Sequence, residues 1–140
     1  MSSIEVSELH EVDSGMSRGT IRLFLLVEGA SFLLASLVHR GLLVSHYEHA
    51  EAAIAESAIA ALVLLGLALT WVASAWTREI GIVAQALALL GTLVGVFTIV
   101  IGVGPRTAPD VAYHVSIIVV LIWGLAYAIG RFPWRTRQPA

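Results

Sequence analysis

Ser57–Trp76 reads SAIAALVLLGLALTWVASAW, a run without a single charge. A helix that crosses a bilayer needs about 20 mostly apolar residues, and this stretch supplies them. Directly before it, His46–Glu56 reads HYEHAEAAIAE, with two histidines and three glutamates. Outward from this pair the chain shows three more apolar stretches of similar length. The expected spans are 20–39, 50–76, 80–103 and 111–130. The first is interrupted only by Arg22 near its start and by Glu28. The connections are HRGLLVSHYEH, the tight turn WTRE, and GVGPRTAPD. In the last of these, Thr107 with Pro109 and Asp110 reads as a helix start. Four spans with short connections predict an all-α integral membrane protein, a four-helix up-down-up-down bundle.

Composition agrees. The 140 residues are 58% hydrophobic and 13% charged, where a soluble domain carries about 25% charged residues. The mean hydropathy is +0.87. No basic cluster of the kind that nucleic-acid binding needs is present. Cysteine is absent, which excludes disulfides, thiolate metal sites and cysteine nucleophiles. With only Met1 and Met16, a methionine-rich copper(I) site is not expected. The motifs of soluble hydrolases, phosphate-binding loops and zinc proteases are missing as well.

The chain divides into a polar, acidic tail at 1–19, the membrane domain at 20–131, and a basic tail at 132–140. The first segment carries Glu5, Glu8, Glu11 and Asp13. It fails as a signal peptide on charge and on order, and reads as a cytoplasmic tail. Every basic residue is arginine. In four alternating spans, Arg18, Arg22, Arg78, Arg131, Arg135 and Arg137 fall on one side, and Arg40 and Arg106 on the other. The positive-inside rule then predicts a multi-pass cell (inner) membrane protein with both termini cytoplasmic. Trp76 and Trp134 would lie at the cytoplasmic edge. In the third span Ala84, Ala88, Gly91 and Gly95 share one face, a stripe that lets another helix come close.

The ionisable residues are distributed unevenly. His39, His46, His49 and His114 all fall at the predicted extracytoplasmic end, with Glu48, Glu51, Arg106 and Asp110. Helical geometry sorts them. Glu28 and His39 are eleven residues apart, about 20° from alignment, so they share a face. Asp110 and His114, four apart, share one too. If the second helix starts by His46, then His46, His49, Ala53 and Glu56 form one stripe. Glu28 would lie about 16 Å below His39 at ~1.5 Å per residue. An ionised carboxylate at a lipid-facing helix centre costs about 2.5–3.5 kcal/mol, so two buried glutamates ask for a reason. The plain one is burial as neutral acids hydrogen-bonded to Ser31, Ser57 or backbone. The functional ones are a metal, a protein-lined cavity or a proton path.

Imidazole and carboxylate ligands without sulfur suit iron, zinc or manganese. The expected ligands are His39, His49, Glu56 and His114, with Glu28 as a deeper ligand or proton acceptor. His46, Asp110, Tyr113 and Arg106 are weaker or supporting candidates, and Arg106 with Asp110 is expected to pair in the loop. The Glu-x-x-His pair of di-iron bundles is absent. Haem b, with His39 or His49 opposite His114 as axial ligands, is the alternative cofactor.

Gly102–His114, GVGPRTAPDVAYH, resembles a motif in a family of small bacterial four-span membrane proteins, as do the first-span glutamate and the histidine-rich entry to the second span. The resemblance covers roughly residues 20–130 and implies a compact, stand-alone four-helix membrane domain. That family has no established activity, so no mechanism comes with it.

Three functions fit these residues. The first is a metal site open to the extracytoplasmic face, serving redox, metal-assisted chemistry or metal handling. The second is a proton-coupled transporter or channel subunit that uses Glu28 and Glu56. Four spans are few for that role, which points to a homo-oligomer or a larger complex. The third is a non-catalytic accessory subunit of a membrane complex, with the small-residue stripe as a partner surface.

Overall fold

The computed structural model describes the backbone of residues 3–130 and the side chains of residues 18–130. Arg131, the basic tail with Trp134, Arg135 and Arg137, and the side chains of residues 1–17 lie outside the described residues. Four helices account for the regular structure among them: α1 Ser3–His39, α2 Ala50–Val72, α3 Thr77–Ile101 and α4 Ala108–Ile129, with a short 3-10 turn at Ser74–Trp76. Each is long and apolar enough to cross a membrane, α1 over Arg18–His39, as in a multi-pass membrane protein.

The ends differ from the sequence-based spans by a few residues, each for a local reason. No proline falls before Pro105, so nothing breaks the acidic segment from the first span, and α1 runs through both. α2 does not start by His46, which sits in the left-handed region at φ 67. Its first turn is instead capped by His49, in extended backbone at φ −146, whose Nδ1 accepts from the Ala52 amide at 3.4 Å. The stripe from His46 to Glu56 is therefore not one helical face. α2 ends at Val72, and Thr77 Oγ1 donates to Ser74 O at 2.8 Å as α3 begins. α4 begins at Ala108, earlier than expected, because Thr107 and Asp110 cap each other's backbone reciprocally. That puts Asp110 inside the first turn.

Three arginines, Arg22, Arg78 and Arg106, bond carbonyls at helix C-terminal ends. Arg22 Nη2 donates to Thr70 O of α2 at 2.6 Å. Arg78 donates to Ala128 O and Ile129 O of α4 at 2.8 and 2.9 Å. Arg106 donates to Ile99 O and Val100 O of α3, both at 2.8 Å. Each guanidinium satisfies carbonyls that a helix C-terminus leaves without partners. Arg106 therefore does not pair with Asp110. Arg22 also lies 4.1 Å from the Trp71 ring centroid, a cation–π contact.

The core is built from Leu25, Phe32, Val63, Ala88 and Leu121. α1 packs on the other three helices, and α3 packs on α2 and α4. The small-residue stripe serves internal close approach. A Cβ on Gly66 would stand 2.9 Å from Ala84 Cβ, and one on Gly91 would stand 3.0 Å from Ile59. The polarity is inverted relative to a water-soluble bundle. Leu23, Leu65, Val83, Leu90 and Val119 face outward. Glu28, Ser36, Thr70, Gln85 and Thr92 are buried. Contiguous apolar surface on that scale needs lipid or a partner to cover it.

Candidate functional site

Three helix ends converge on His39, the last residue of α1. Its Nδ1 lies 2.8 Å from Glu56 Oε2 on α2, and its Nε2 lies 3.1 Å from Asp110 Oδ1 on α4. All three side chains are buried. The connection holds the ring in place: His49 N donates to His39 O at 2.9 Å. The Tyr47 ring lies 5.7 Å away and the His49 ring 6.4 Å away.

Asp110 is oriented from its other side. Its Oδ2 accepts from Thr107 N at 3.2 Å and from Thr107 Oγ1. Thr107 Oγ1 in turn bonds the Tyr47 hydroxyl. Because Thr107 Oγ1 gives its hydrogen to Asp110, the Tyr47 hydroxyl is the donor to it. Beside Glu56, Ser57 Oγ donates to Ala53 O at 2.7 Å and meets Ser36 Oγ, also at 2.7 Å. Arg40 Nη2 donates to Ser57 Oγ at 2.9 Å. Ser57 is thus engaged with α1 and the backbone, and Glu56 takes His39 instead of Ser57.

The three expected pairs, Glu28 with His39, His49 with Glu56 and Asp110 with His114, are replaced by one chain across helices: Glu56–His39–Asp110. His114 does meet Asp110, but Nδ1 donates to the backbone oxygen at 2.8 Å. In the neutral ring that leaves the lone pair on Nε2. His114, His49, Glu56 and Tyr113 line one cavity of about 180 Å³, with Glu51, Thr92 and Phe32. Glu51 stands exposed, while Glu56 is only 5% exposed. Glu56 Oε1 and the Tyr113 hydroxyl have no hydrogen-bond partner among the described residues. His46 and Arg106 lie outside this arrangement.

Glu28 lies apart. Its neighbour Gly29 packs against Val63 and Leu64, so it sits about two turns, roughly 10 Å, deeper than Glu56. Phe32, fully buried and one turn above Glu28, separates the two. At the Glu28 level stands Gln85 of α3, which the sequence reading passed over. Its signal was available: it is the lone amide within an apolar span, and polar groups at that depth mark buried contacts. A Cβ on Gly124 of α4 would stand 2.9 Å from Glu28 Oε1 and 2.9 Å from Gln85 Oε1. Gly124→Ala is expected to cost about 1–3 kcal/mol through this overpacking, read by unfolding in detergent. A loss under about 0.5 kcal/mol would mean that the two oxygens do not converge there.

For a metal, the cavity lining offers the carboxylates of Glu51 and Glu56 and the imidazoles of His49 and His114. His39 has both ring nitrogens on carboxylates, so a metal or haem iron there would displace one of them. As the side chains stand, no three His, Asp or Glu groups among the described residues are gathered to hold a metal ion. Comparison with protein-family models, with curated proteins and with solved structures gives no match.

Proposed function

We propose that this chain is a proton-handling membrane protein, a subunit of a proton-coupled transporter or channel. The carrying observation is the buried imidazole held between two carboxylates, with Glu56 on Nδ1 and Asp110 on Nε2. Nε2–H donates to Asp110, whose other oxygen already accepts from Thr107. One proton then lies between Glu56 Oε2 and His39 Nδ1. The pair is either glutamic acid with neutral histidine or glutamate with imidazolium, at the same total charge. A proton moves along this line without a net charge entering the low-dielectric interior, which would otherwise be costly.

The cavity supports an entry route. Glu56 turns one oxygen to His39 and leaves Oε1 without a hydrogen-bond partner among the described residues, beside a mostly apolar cavity whose lining includes His49, His114 and Tyr113 and which has room for water. Glu28 is the inner acceptor, reached past Phe32 when that apolar layer wets or moves. The arginine distribution supports an up-down-up-down bundle with cytoplasmic termini. In that orientation the cavity faces the extracytoplasmic side.

The test is reconstitution into liposomes under an imposed pH gradient, with an internal pH dye. Wild type is expected to dissipate the gradient, and His39→Gln and Glu56→Gln to return it to the rate of protein-free vesicles. Wild-type vesicles as tight as empty ones would sink the reading. Elemental analysis and a visible spectrum of the same preparation decide the rival. Near-stoichiometric iron, zinc or manganese, or a Soret band, would return the site to metal or haem binding.

A further inference from the structure

The middle of the bundle holds a second polar site. Glu28 and Gln85 are each 0% exposed. Both carboxylate oxygens of Glu28 and both amide atoms of Gln85 have no hydrogen-bond partner among the described residues. Four buried polar atoms at one level are far from ordinary, because nearly all such atoms in folded proteins are paired. The two side chains nevertheless converge. Glu28 Oε1 and Gln85 Oε1 both lie 2.9 Å from the point that a Cβ on Gly124 would occupy. Both oxygens reach the bare Cα of that glycine, so at most 5.8 Å (twice 2.9 Å) separates them, and no direct hydrogen bond joins them as they stand.

The neighbours at this level are Val63 and Leu64 from α2, Gln85 from α3, and Gly124 from α4, with Phe24 on α1 itself. None of them is titratable. Glu56 lies roughly 10 Å above, and Tyr127, which packs on Phe24, lies below. Among the described residues Glu28 therefore has no charge beside it at this level to answer a change in its own, and the Gln85 amide is the polar group that meets it at Gly124.

An amide is suited to that position because it offers an acceptor and a donor on one planar group. With Gln85 Oε1 brought to Glu28, the amide would accept from the O–H of the neutral acid, directly or through one water. A half-turn about the last side-chain torsion brings Nε2 to the same place and donates N–H to the carboxylate. We propose that Glu28 and Gln85 form a second proton-binding station at the middle of the bundle, in which the Gln85 amide turns over as Glu28 takes and releases its proton. Gln85 is the positioning residue, and Gly124 keeps the space in which the amide turns. The station deepens the proton-handling reading, and its carboxyl chemistry is measured independently of flux.

The experiment is infrared difference spectroscopy of the full chain in lipid vesicles across a pH step. A carboxylic-acid C=O component is expected in wild type, absent in Glu28→Gln, and moved toward the free-acid position in Gln85→Leu. Should Gln85→Leu not fold, Gln85→Met carries the same expectation. A measurement on wild type stands beside it. Dicyclohexylcarbodiimide partitions into lipid and adds to a protonated carboxyl: the acid proton goes to a carbodiimide nitrogen and the carboxyl oxygen to its central carbon. Acyl migration then fixes the adduct, which mass mapping should locate at Glu28. Loss of no C=O component in Glu28→Gln, an unmoved component in Gln85→Leu, or an adduct that excludes Glu28 would each overturn the station. If His39→Gln leaves flux intact while the Glu28 component behaves as expected, the outer relay fails and the station stands.

Discussion

His39→Ala should lower the unfolding free energy by about 3–5 kcal/mol, the usual loss when one partner leaves a buried ion pair. The imidazole is the sole hydrogen-bond partner of Glu56 among the described residues, and it also holds Asp110 Oδ1. Alanine strands two carboxyl groups that are almost fully buried. It also cuts the one polar link that joins α1, α2 and α4. Part of the loss should return on acidification, because a protonated carboxyl is cheaper to bury alone than a carboxylate. Reversible unfolding in mixed detergent, at neutral and at acid pH, reads both effects. A change under about 1 kcal/mol would mean that the ring behaves as an exposed side chain and the chain of bonds is not formed.

Asp110→Ala should cost a similar amount, for two reasons that a second variant separates. It removes the carboxylate from His39, and it removes the side chain that caps Thr107 N at the start of α4. A lost cap is worth about 0.5–2 kcal/mol. Asp110→Asn keeps a capping oxygen and drops the charge, so it should lie between wild type and alanine. His39→Ala with Asp110→Ala should lose less than the two singles together, by about 0.5–3 kcal/mol, since each single change already breaks their shared bond. Full additivity in the double-mutant cycle would show that the two side chains do not interact.

The histidine end shows how far local reading reaches. The gathering of His39, His49, His114, Glu56 and Asp110 at one end follows from span lengths alone. So does the burial of Glu28 and His39 on one face of α1, eleven residues apart. The Thr107–Asp110 start of α4 is equally local, since its bonds close over three residues. The pairing was not legible. The sequence reading placed His39, His49, Glu56 and His114 together as ligands converging from different helices, without deciding which side chain meets which. The structure instead turns Glu56 and Asp110 toward His39, 17 and 71 residues away in the chain. Arg106 was read as a partner for Asp110, yet it donates to the carbonyls of Ile99 and Val100 at the end of α3.

By itself the sequence determined the four spans, the Thr107–Asp110 start of α4 and the concentration of ionisable groups at one end, because hydrophobic length and a capping box are properties of contiguous residues. Only the tertiary structure decided that His39 bridges two carboxylates, that Glu56 keeps one oxygen toward a cavity, and that Gln85 meets Glu28 over Gly124. Those contacts depend on how each helix is rotated about its axis. That rotation is set by side chains packing between helices, where Gly66 against Ala84 and Gly91 against Ile59 bring the backbones close enough for polar groups on different helices to meet.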